Sequence, residues 1–156
     1  METTLTAMEQ YQVAEVELIY KSKVKASDRP KVIHSKDVYE IFKQSWDENK
    51  IDLVEQFKIM LLNRSNRVLA IYEVSTGGIT GTVADPRIIF TAALKANAVS
   101  IALAHNHPSG DLKPSRQDEA LTEKIRNAGL FLDIKVIDHI IISSESYFSF
   151  ANEGLL

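Results

Sequence analysis

The sequence predicts an α+β domain, or a mixed-sheet sandwich, with helices packed on a β-sheet. A chain of 156 residues with 45% hydrophobic composition can bury one core and is too short for two ordinary domains. Predicted strands outnumber predicted helices, and a predicted hairpin lies between helical segments. We therefore expect one domain over residues 35–156, with residues 1–34 forming a strand and a basic connection that belong to it.

Alternating apolar and polar residues predict a first strand over residues 12–20. The lysines that follow, Lys21, Lys23 and Lys25, would share one face if the strand continued. Such a face could form a basic patch for nucleic acid, or it could protect a solvated edge strand against mispairing. Both interpretations stay open.

The rest of the chain alternates between helical and strand patterns. The predicted elements are a helix at 34–46 capped by Ser35, a hairpin of strands 52–63 and 67–75 with its turn at 63–66, a loop at 75–86, a helix after Pro86, a strand at 99–107, a helix at 115–128 that ends at Gly129, and strands at 133–143 and 147–151. The loop at 75–86 lacks the Gly-Lys-Ser/Thr ending of a phosphate-binding loop, so its glycines are expected to form turns.

Composition limits the partners and the metal chemistry. A formal net charge of -3 gives no overall reason for tight polyanion binding, although it does not exclude nucleic acid. Because the chain has no cysteine, any metal must use nitrogen and oxygen ligands. The N-terminus lacks a signal-peptide pattern and no apolar run suits a bilayer, so we expect a cytoplasmic protein without a membrane partner. A homodimer is compatible with the sequence.

The strand at 99–107 ends in a histidine pair. Period-two alternation places His105 and His107 on its large-residue face, while alanines on the other face allow a helix to approach closely. Two histidines at i and i+2 can bind one ion, but the same His-x-His pattern would also arise from one surface histidine and one turn-capping histidine. Pro108 and Gly110 then turn the chain out of the sheet.

Ser115 and Asp118 lie on the first turn of the next predicted helix. Ser-x-x-Asp resembles a capping box and needs no further function. However, a sharp return of the chain would bring Asp118 toward the histidine pair as a third ligand. Two nitrogens and one carboxylate leave a fourth tetrahedral position for water, as in catalytic zinc sites.

Glu55 lies on the apolar face of the strand at 52–63. A buried carboxylate there needs a partner, or else the strand is frayed at that end. The functional interpretation is a general base that takes a proton from activated water, with burial raising its pKa.

Four other polar residues have weaker signals. Asp138 and His139 point to opposite faces of their strand; Asp138, on the apolar face, could orient a metal-binding imidazole or make a structural hydrogen bond. His34 is expected to face solvent. Asp111 could neighbour the site, although a turn-forming role is favoured.

The pattern His105-x-His107, Ser115-x-x-Asp118 and an earlier glutamate resembles the JAMM signature of the MPN/JAB zinc metalloprotease superfamily. The segments GTVADPRIIFTAALKANAVSIALAHNHPSGDLKPSRQDEALT and VIDHIII are similar to the bacterial RadC family, and the resemblance covers about residues 35–150. It implies the JAB/MPN (cytidine-deaminase-like) fold, a curved mixed sheet flanked by helices. It also implies that Zn²⁺ is bound by His105, His107 and Asp118, that Glu55 is the general acid/base, and that Ser115 stabilises the oxyanion.

The resemblance implies a zinc-dependent metalloprotease acting on a peptide or protein substrate. An alternative is a DNA-repair or mobile-element accessory module that works by binding, and a third is a metal-stabilised interaction domain without catalysis. Many RadC proteins carry an N-terminal helix-hairpin-helix region, which the residues before the first predicted helix are too few to form. The chain is also close to minimal JAB length, so ubiquitin chains are not the expected substrate.

Overall fold

A mixed five-stranded sheet and three α-helices make up the regular structure of residues 12–17, 19–78 and 81–156, the part of the chain described by this computed structural model. After a short 3₁₀ turn at Ala26–Asp28, the elements are α1 (Ser35–Ser45), β1 (Gln56–Leu62), β2 (Val68–Thr76), α2 (Pro86–Lys95), β3 (Ser100–Asn106), α3 (Arg116–Phe131), β4 (Lys135–Ile142) and β5 (Tyr147–Ser149). The predicted α+β class is confirmed, because a sheet with both parallel and antiparallel pairs carries separate helices.

The strand order β2-β1-β3-β4-β5 places β3 at the centre of the sheet. β1 pairs antiparallel with both β2 and β3, and β4 pairs antiparallel with β5. β3 and β4 are parallel, so the chain must cross over between them, and α3 makes that crossover. The connection from β3 to α3 therefore lies at the C-terminal end of the central strand.

The core has a layer on each face of the sheet. On one face, β1 and β3 pack their large side chains, such as Ile59 and Leu103, against α2 and α3. On the other face, Ala102 and Ala104 of β3 belong to the cluster that contains Phe42 of α1. The small-residue face of β3 thus accommodates a helix, as the sequence predicts.

The predicted hairpin is confirmed and its turn depends on two asparagines. The side-chain oxygen of Asn63 accepts hydrogen bonds from the backbone N–H groups of Ser65 and Arg67 at 3.0 Å each. Asn66 adopts a left-handed φ of 55°, which asparagine tolerates better than most residues. β1 and β2 are consequently held in antiparallel register.

The strand predicted over residues 12–20 is wrong for the part that the structure describes, residues 12–17 and 19–20, which lies in no strand. Val13 and Val16 are 60% and 84% exposed, whereas Tyr20 lies beside β2, where its hydroxyl donates to the carbonyl of Leu69 at 3.1 Å. The lysines at 21, 23 and 25 are likewise exposed. Alternation alone cannot supply the neighbouring strand that a ladder requires.

The first predicted helix begins at Ser35, but its cap is His34 rather than Ser35. The side chain of Asp37 accepts hydrogen bonds from the backbone N–H groups of Ile33 and His34 at 2.9 and 2.8 Å, which completes a capping box one residue earlier than expected. His34 itself is exposed, as predicted.

Helix α3 continues past Gly129 to Phe131, so the predicted end is wrong. The left-handed residue that follows the helix is Asp133, with φ of 56°. Gly129 has a different purpose, because a Cβ atom there would lie 2.3 Å from the carbonyl oxygen of Ile134. The glycine permits close packing of the returning chain.

None of the helices in the described part of the chain combines the length and the apolar character that a bilayer crossing needs.

Candidate metal centre

Two histidines lie at the end of β3. His105 is the penultimate residue of the strand and is only 2% exposed, while His107 lies one residue beyond the strand and is half-buried. Their Nε2 atoms are 3.0 Å apart. Gly110 then reverses the chain with φ of 81°, and its N–H donates to the carbonyl of His107 at 2.9 Å. The predicted shared orientation of the imidazoles is therefore observed.

Asp118 reaches both histidines from the first turn of α3. Its Oδ1 lies 3.3 Å from Nε2 of His105, and its Oδ2 lies 3.5 Å from Nε2 of His107. Ligand atoms of all three residues lie within 4.8 Å of one another, close enough to hold one metal ion. We call these residues the His-His-Asp cluster.

The capping interpretation of Ser115 and Asp118 is also right. Oδ2 of Asp118 accepts from the backbone N–H of Ser115 at 2.7 Å, and Oγ of Ser115 accepts from the backbone N–H of Asp118 at 3.0 Å. The sequence posed capping and metal binding as alternatives, yet one carboxylate serves the cap and faces the histidines. Capping thus fixes the carboxylate where a ligand is needed.

The donor atoms fit a metal ion. Nδ1 of His107 lies 2.5 Å from the backbone carbonyl oxygen of Asp111, which can only accept, so this nitrogen carries the ring proton in neutral His107. The Nε2 lone pair of that ring then points at the other imidazole and at a carboxylate. Such a group could hold a cation between its members, and two nitrogens with one carboxylate are a ligand set typical of catalytic zinc.

The electrostatics of the cluster favour a proton on an imidazole when no metal is bound. The pKa of His107 is raised, mainly by its hydrogen bond with Asp118, although burial opposes the shift. Burial acts to raise the pKa of Asp118, but its interactions with the imidazoles of His105 and His107 outweigh burial and hold this pKa well below its usual range. A proton on the imidazole therefore competes with a metal for the same carboxylate.

Glu55 was predicted to lie within the strand at 52–63. In the structure it immediately precedes β1. The strand therefore begins later than predicted, at Gln56. The backbone of Glu55 is nevertheless held: its N–H donates to the carbonyl of Gly78 at 3.2 Å and its carbonyl accepts from Gly77 at 2.8 Å. The side chain is half-buried and lines the same cavity as His107, Ser115 and Asp118.

The environment of Glu55 raises its pKa. Burial is the largest cause, and the charge of Asp118 adds to it, whereas nearby His105 and His107 act in the opposite direction. A carboxyl group with a raised pKa can take up and return a proton closer to neutral pH than an exposed glutamate can. The predicted direction of the shift is confirmed.

Asn106 was missed by the sequence reasoning. Its side chain points to the face of β3 opposite His105 and is fully buried. The amide nitrogen donates to the carbonyls of Ile51 and Val54 at 2.7 and 2.8 Å, and the amide oxygen accepts from the N–H of Gln56 at 2.8 Å. The residue between the histidines therefore clamps the turn that carries Glu55. Its place between two candidate ligands was the available signal.

The sequence left the role of His139 open and named only Asp138 as a residue that could orient a metal-binding imidazole. Nε2 of His139 lies 2.8 Å from Nδ1 of His105, and its ring stacks on Phe150 with centroids 4.7 Å apart. Burial, followed by the nearby charge of His105, lowers the pKa of His139 well below its ordinary value.

Asp138 makes structural hydrogen bonds instead, which was the other alternative. Its carboxylate accepts from the hydroxyl of Ser149 and from the backbone N–H of Ala151. It faces away from the cluster because β4 alternates its side chains, as the sequence indicated for this pair. Asp111 forms a turn through its carboxylate, which accepts from the N–H of Lys113 at 3.0 Å, and touches the site through its carbonyl.

Comparison with known proteins agrees with this architecture. A family model described as "RadC-like JAB domain" matches residues 32–155. A UPF0758 protein of Flavobacterium johnsoniae is 42% identical over 125 residues, which are 80% of this chain and 53% of the relative. A UPF0758 protein of Porphyromonas gingivalis is 44% identical over 103 residues, 65% of this chain and 45% of the relative. One from Symbiobacterium thermophilum is 42% identical over 103 residues, 66% and 44% of the two chains.

The chain spans about half the length of the curated relatives it matches. The family model, by contrast, covers most of this chain. The match begins at Val32, a buried residue just before α1, and ends at residue 155, next to the C-terminus. With the sheet order and the His-His-Asp cluster described above, the match is decisive, and the chain belongs to the RadC-like JAB domain family.

Proposed function

We propose that this chain is a zinc-dependent metallohydrolase of the JAMM type that cleaves peptide or isopeptide bonds. The observation that carries the proposal is that His107 and Asp118 of the His-His-Asp cluster line a cavity that Glu55 and Ser115 also line. Three protein ligands of this chemistry, with space beside them, are typical of a catalytic zinc site. A zinc ion held there would supply a Lewis acid that polarises a carbonyl and lowers the pKa of water toward about 7.

Glu55 is the proposed general acid/base. Its half-buried carboxylate has a raised pKa and faces the cavity, so it can accept the proton of the attacking water and deliver it to the leaving amine. Asn106 holds the turn before β1, which keeps this carboxylate next to the cluster.

Ser115 is the proposed oxyanion donor. Its Oγ accepts a hydrogen bond from the backbone N–H of Asp118, which uses a lone pair and leaves the single hydroxyl hydrogen for another partner. The side chain is exposed to the cavity. A hydrogen bond from a positioned hydroxyl would stabilise negative charge on the carbonyl oxygen of the substrate.

The proposed substrate is a peptide or a protein. Beyond the catalytic groups, the cavity wall presents hydroxyl, amide and apolar side chains, which suit a peptide: Thr82, Ser109, Gln117 and Leu121. The proposed location of this activity is the cytoplasm, a reducing compartment that suits a chain without cysteine.

The test is hydrolysis of a peptide library, including lysine isopeptides, by zinc-loaded protein that was purified without chelator. Glu55→Gln should lower kcat by at least about 100-fold while leaving one zinc bound per chain, since it removes a proton carrier and no ligand. Glu48→Gln, an exposed glutamate away from this cavity, is the matched control and should keep full activity.

Normal turnover by Glu55→Gln would show that its assigned role is wrong. Failure of the zinc-loaded wild type to cleave any library member would overturn the proposed substrate class.

A further inference from the structure

A chain of three buried polar contacts lies behind the His-His-Asp cluster. Nδ1 of His105 is 2.8 Å from Nε2 of His139, and Nδ1 of His139 is 2.6 Å from Oγ1 of Thr122. Oγ1 of Thr122 is in turn 2.6 Å from the backbone carbonyl oxygen of Asp118. His105, Thr122 and His139 are each at most 2% exposed, so solvent does not supply alternative partners.

The proton positions in this series of contacts follow from its last contact, between Thr122 and the carbonyl of Asp118. The carbonyl oxygen of Asp118 carries no hydrogen, so the single hydroxyl hydrogen of Thr122 must lie between these two oxygens. Were that hydrogen directed at His139 instead, the oxygens would face each other at 2.6 Å with no proton between them. Oγ1 of Thr122 therefore accepts, and Nδ1 of His139 donates to it.

The same assignment of hydrogens extends through His139 to Nε2 of His105, the nitrogen that faces the rest of the His-His-Asp cluster. A buried neutral imidazole carries one ring hydrogen, which for His139 is already on Nδ1, so its Nε2 is an acceptor. Nδ1 of His105 must then carry the hydrogen in that contact. Nε2 of His105 is left as a bare lone pair directed at the other members of the cluster.

We infer that Thr122 and His139 are positioning residues that hold His105 in the one tautomer able to bind a metal. The inference rests on the metal site of the proposed function but not on its hydrolytic chemistry. The chain of contacts begins at a ligand imidazole and ends at the backbone of Asp118, so one network sets the proton on one ligand and joins it to the helix turn that supplies another.

β3 and β4 make this arrangement possible. They are parallel neighbours in which His139 pairs with Leu103, two residues from His105 on the same face. Thr122 follows Asp118 by one helical turn, so its hydroxyl reaches back to that carbonyl. Phe57 and Phe150 pack against the His139 ring and limit its rotation.

The experiment compares Thr122→Val, which keeps the shape and removes the hydroxyl, with Thr122→Ser, which keeps the hydroxyl. Nitrogen-15 NMR of metal-free protein at about pH 8, where ordinary imidazoles are neutral, reports the tautomer of His105. Competition with a chelator reports zinc affinity. Thr122→Val should move His105 toward the Nε2–H tautomer and weaken zinc binding about 10- to 100-fold, while Thr122→Ser should retain wild-type behaviour in both.

A purely structural role for Thr122 predicts a different pattern, in which Thr122→Val changes the midpoint of urea unfolding but neither the tautomer nor the zinc affinity. That result would overturn the inference. His139→Leu removes the middle link and provides a second reading should Thr122→Val fold poorly; wild-type zinc affinity in a folded His139→Leu would be equally contrary. Zinc binding with the expected tautomer but no hydrolysis would refute the proposed function alone.

Discussion

Asp118 performs two tasks through one carboxylate. The same group that closes the capping box of α3 lies within 3.5 Å of both imidazoles. Sequence spacing was enough to place this residue near the histidines, because the cap and a candidate metal ligand need the same side of the first helical turn. His105 and His107 were equally predictable, since a strand places i and i+2 on one face.

His139 could not be assigned from the sequence in the same way. Its contact with His105 depends on the parallel register of β3 and β4, which no local pattern reveals. Strand alternation correctly separated His139 from Asp138, but burial on both faces of the sheet left the choice between them open. Contacts across neighbouring strands are thus the part of the site that required the structure.

Substitution of Ser115 should have a small effect on the free energy of unfolding and a large effect on kcat. Ser115→Ala removes the cap and should lower the free energy of unfolding by about 1 kcal/mol. It should also slow peptide hydrolysis by about 100-fold or more, because the proposed oxyanion donor is lost. Ser115→Thr keeps a hydroxyl that can cap and donate, and should stay near wild type in both urea unfolding and kcat. Equal kcat values for the two variants would remove Ser115 from the mechanism.

The end of β3 organises the site as an element. One face delivers His105 to the cluster, and the opposite face delivers Asn106 to the turn before β1. The sequence placed Glu55 inside a strand, and the error arose because alternation continues past the point where the ladder stops. Asn106 bonds the backbone there in place of a strand neighbour.

Asn106→Ala tests this clamp. The substitution leaves one backbone donor and two backbone acceptors without their side-chain partner, which should cost about 3 kcal/mol or more of unfolding free energy. Amide exchange at Gln56 should accelerate, and kcat should fall more than zinc affinity because Glu55 loses its position. Asn127→Ala, at an exposed site on α3, is the matched control. Unchanged exchange at Gln56 would contradict the clamp.

Helix ends were the least predictable elements, and α3 shows why. A glycine near the end of a helical pattern indicates a stop when it adopts a left-handed conformation. Here Gly129 remains helical and instead makes room for the carbonyl of Ile134, while Asp133 adopts the left-handed conformation. Both uses of glycine look the same in sequence, and only the path of the following chain separates them.

At the scale of the whole molecule, the sequence predicts one core, whereas the structure has a buried cluster on each face of the mixed sheet. The predicted N-terminal strand is absent from the described residues, because its alternating residues have no neighbouring strand there to pair with. The 1–34 and 35–156 division, nucleic-acid binding and self-association stay predictions of the sequence.

The stability of the metal-free protein should depend on pH through His139. Its folded pKa is lowered, so below about pH 6.5 the unfolded chain binds a proton that the folded chain does not. The contribution of this residue is therefore fully present above that pH and declines as the pH falls. The loss can reach about 1.4 kcal/mol per pH unit.

Urea unfolding between about pH 5 and pH 7.5 measures this dependence. His139→Leu should flatten the acid side of the curve relative to the wild type. His107 acts in the opposite direction, because its raised pKa gives stability that is lost as the pH rises, and it contributes to both proteins alike. Parallel curves would mean that His139 takes up its proton equally in the folded and unfolded states.

The central claim is that His105, His107 and Asp118 bind one metal ion, and zinc-edge X-ray absorption on protein loaded with one equivalent of zinc tests it most directly. We predict two imidazole nitrogens at about 2.0–2.1 Å, with oxygen completing a four-coordinate shell, and loss of one of these two imidazole contributions in His107→Ala. A shell without imidazole scattering, or one unaffected by His107→Ala, would contradict the claim.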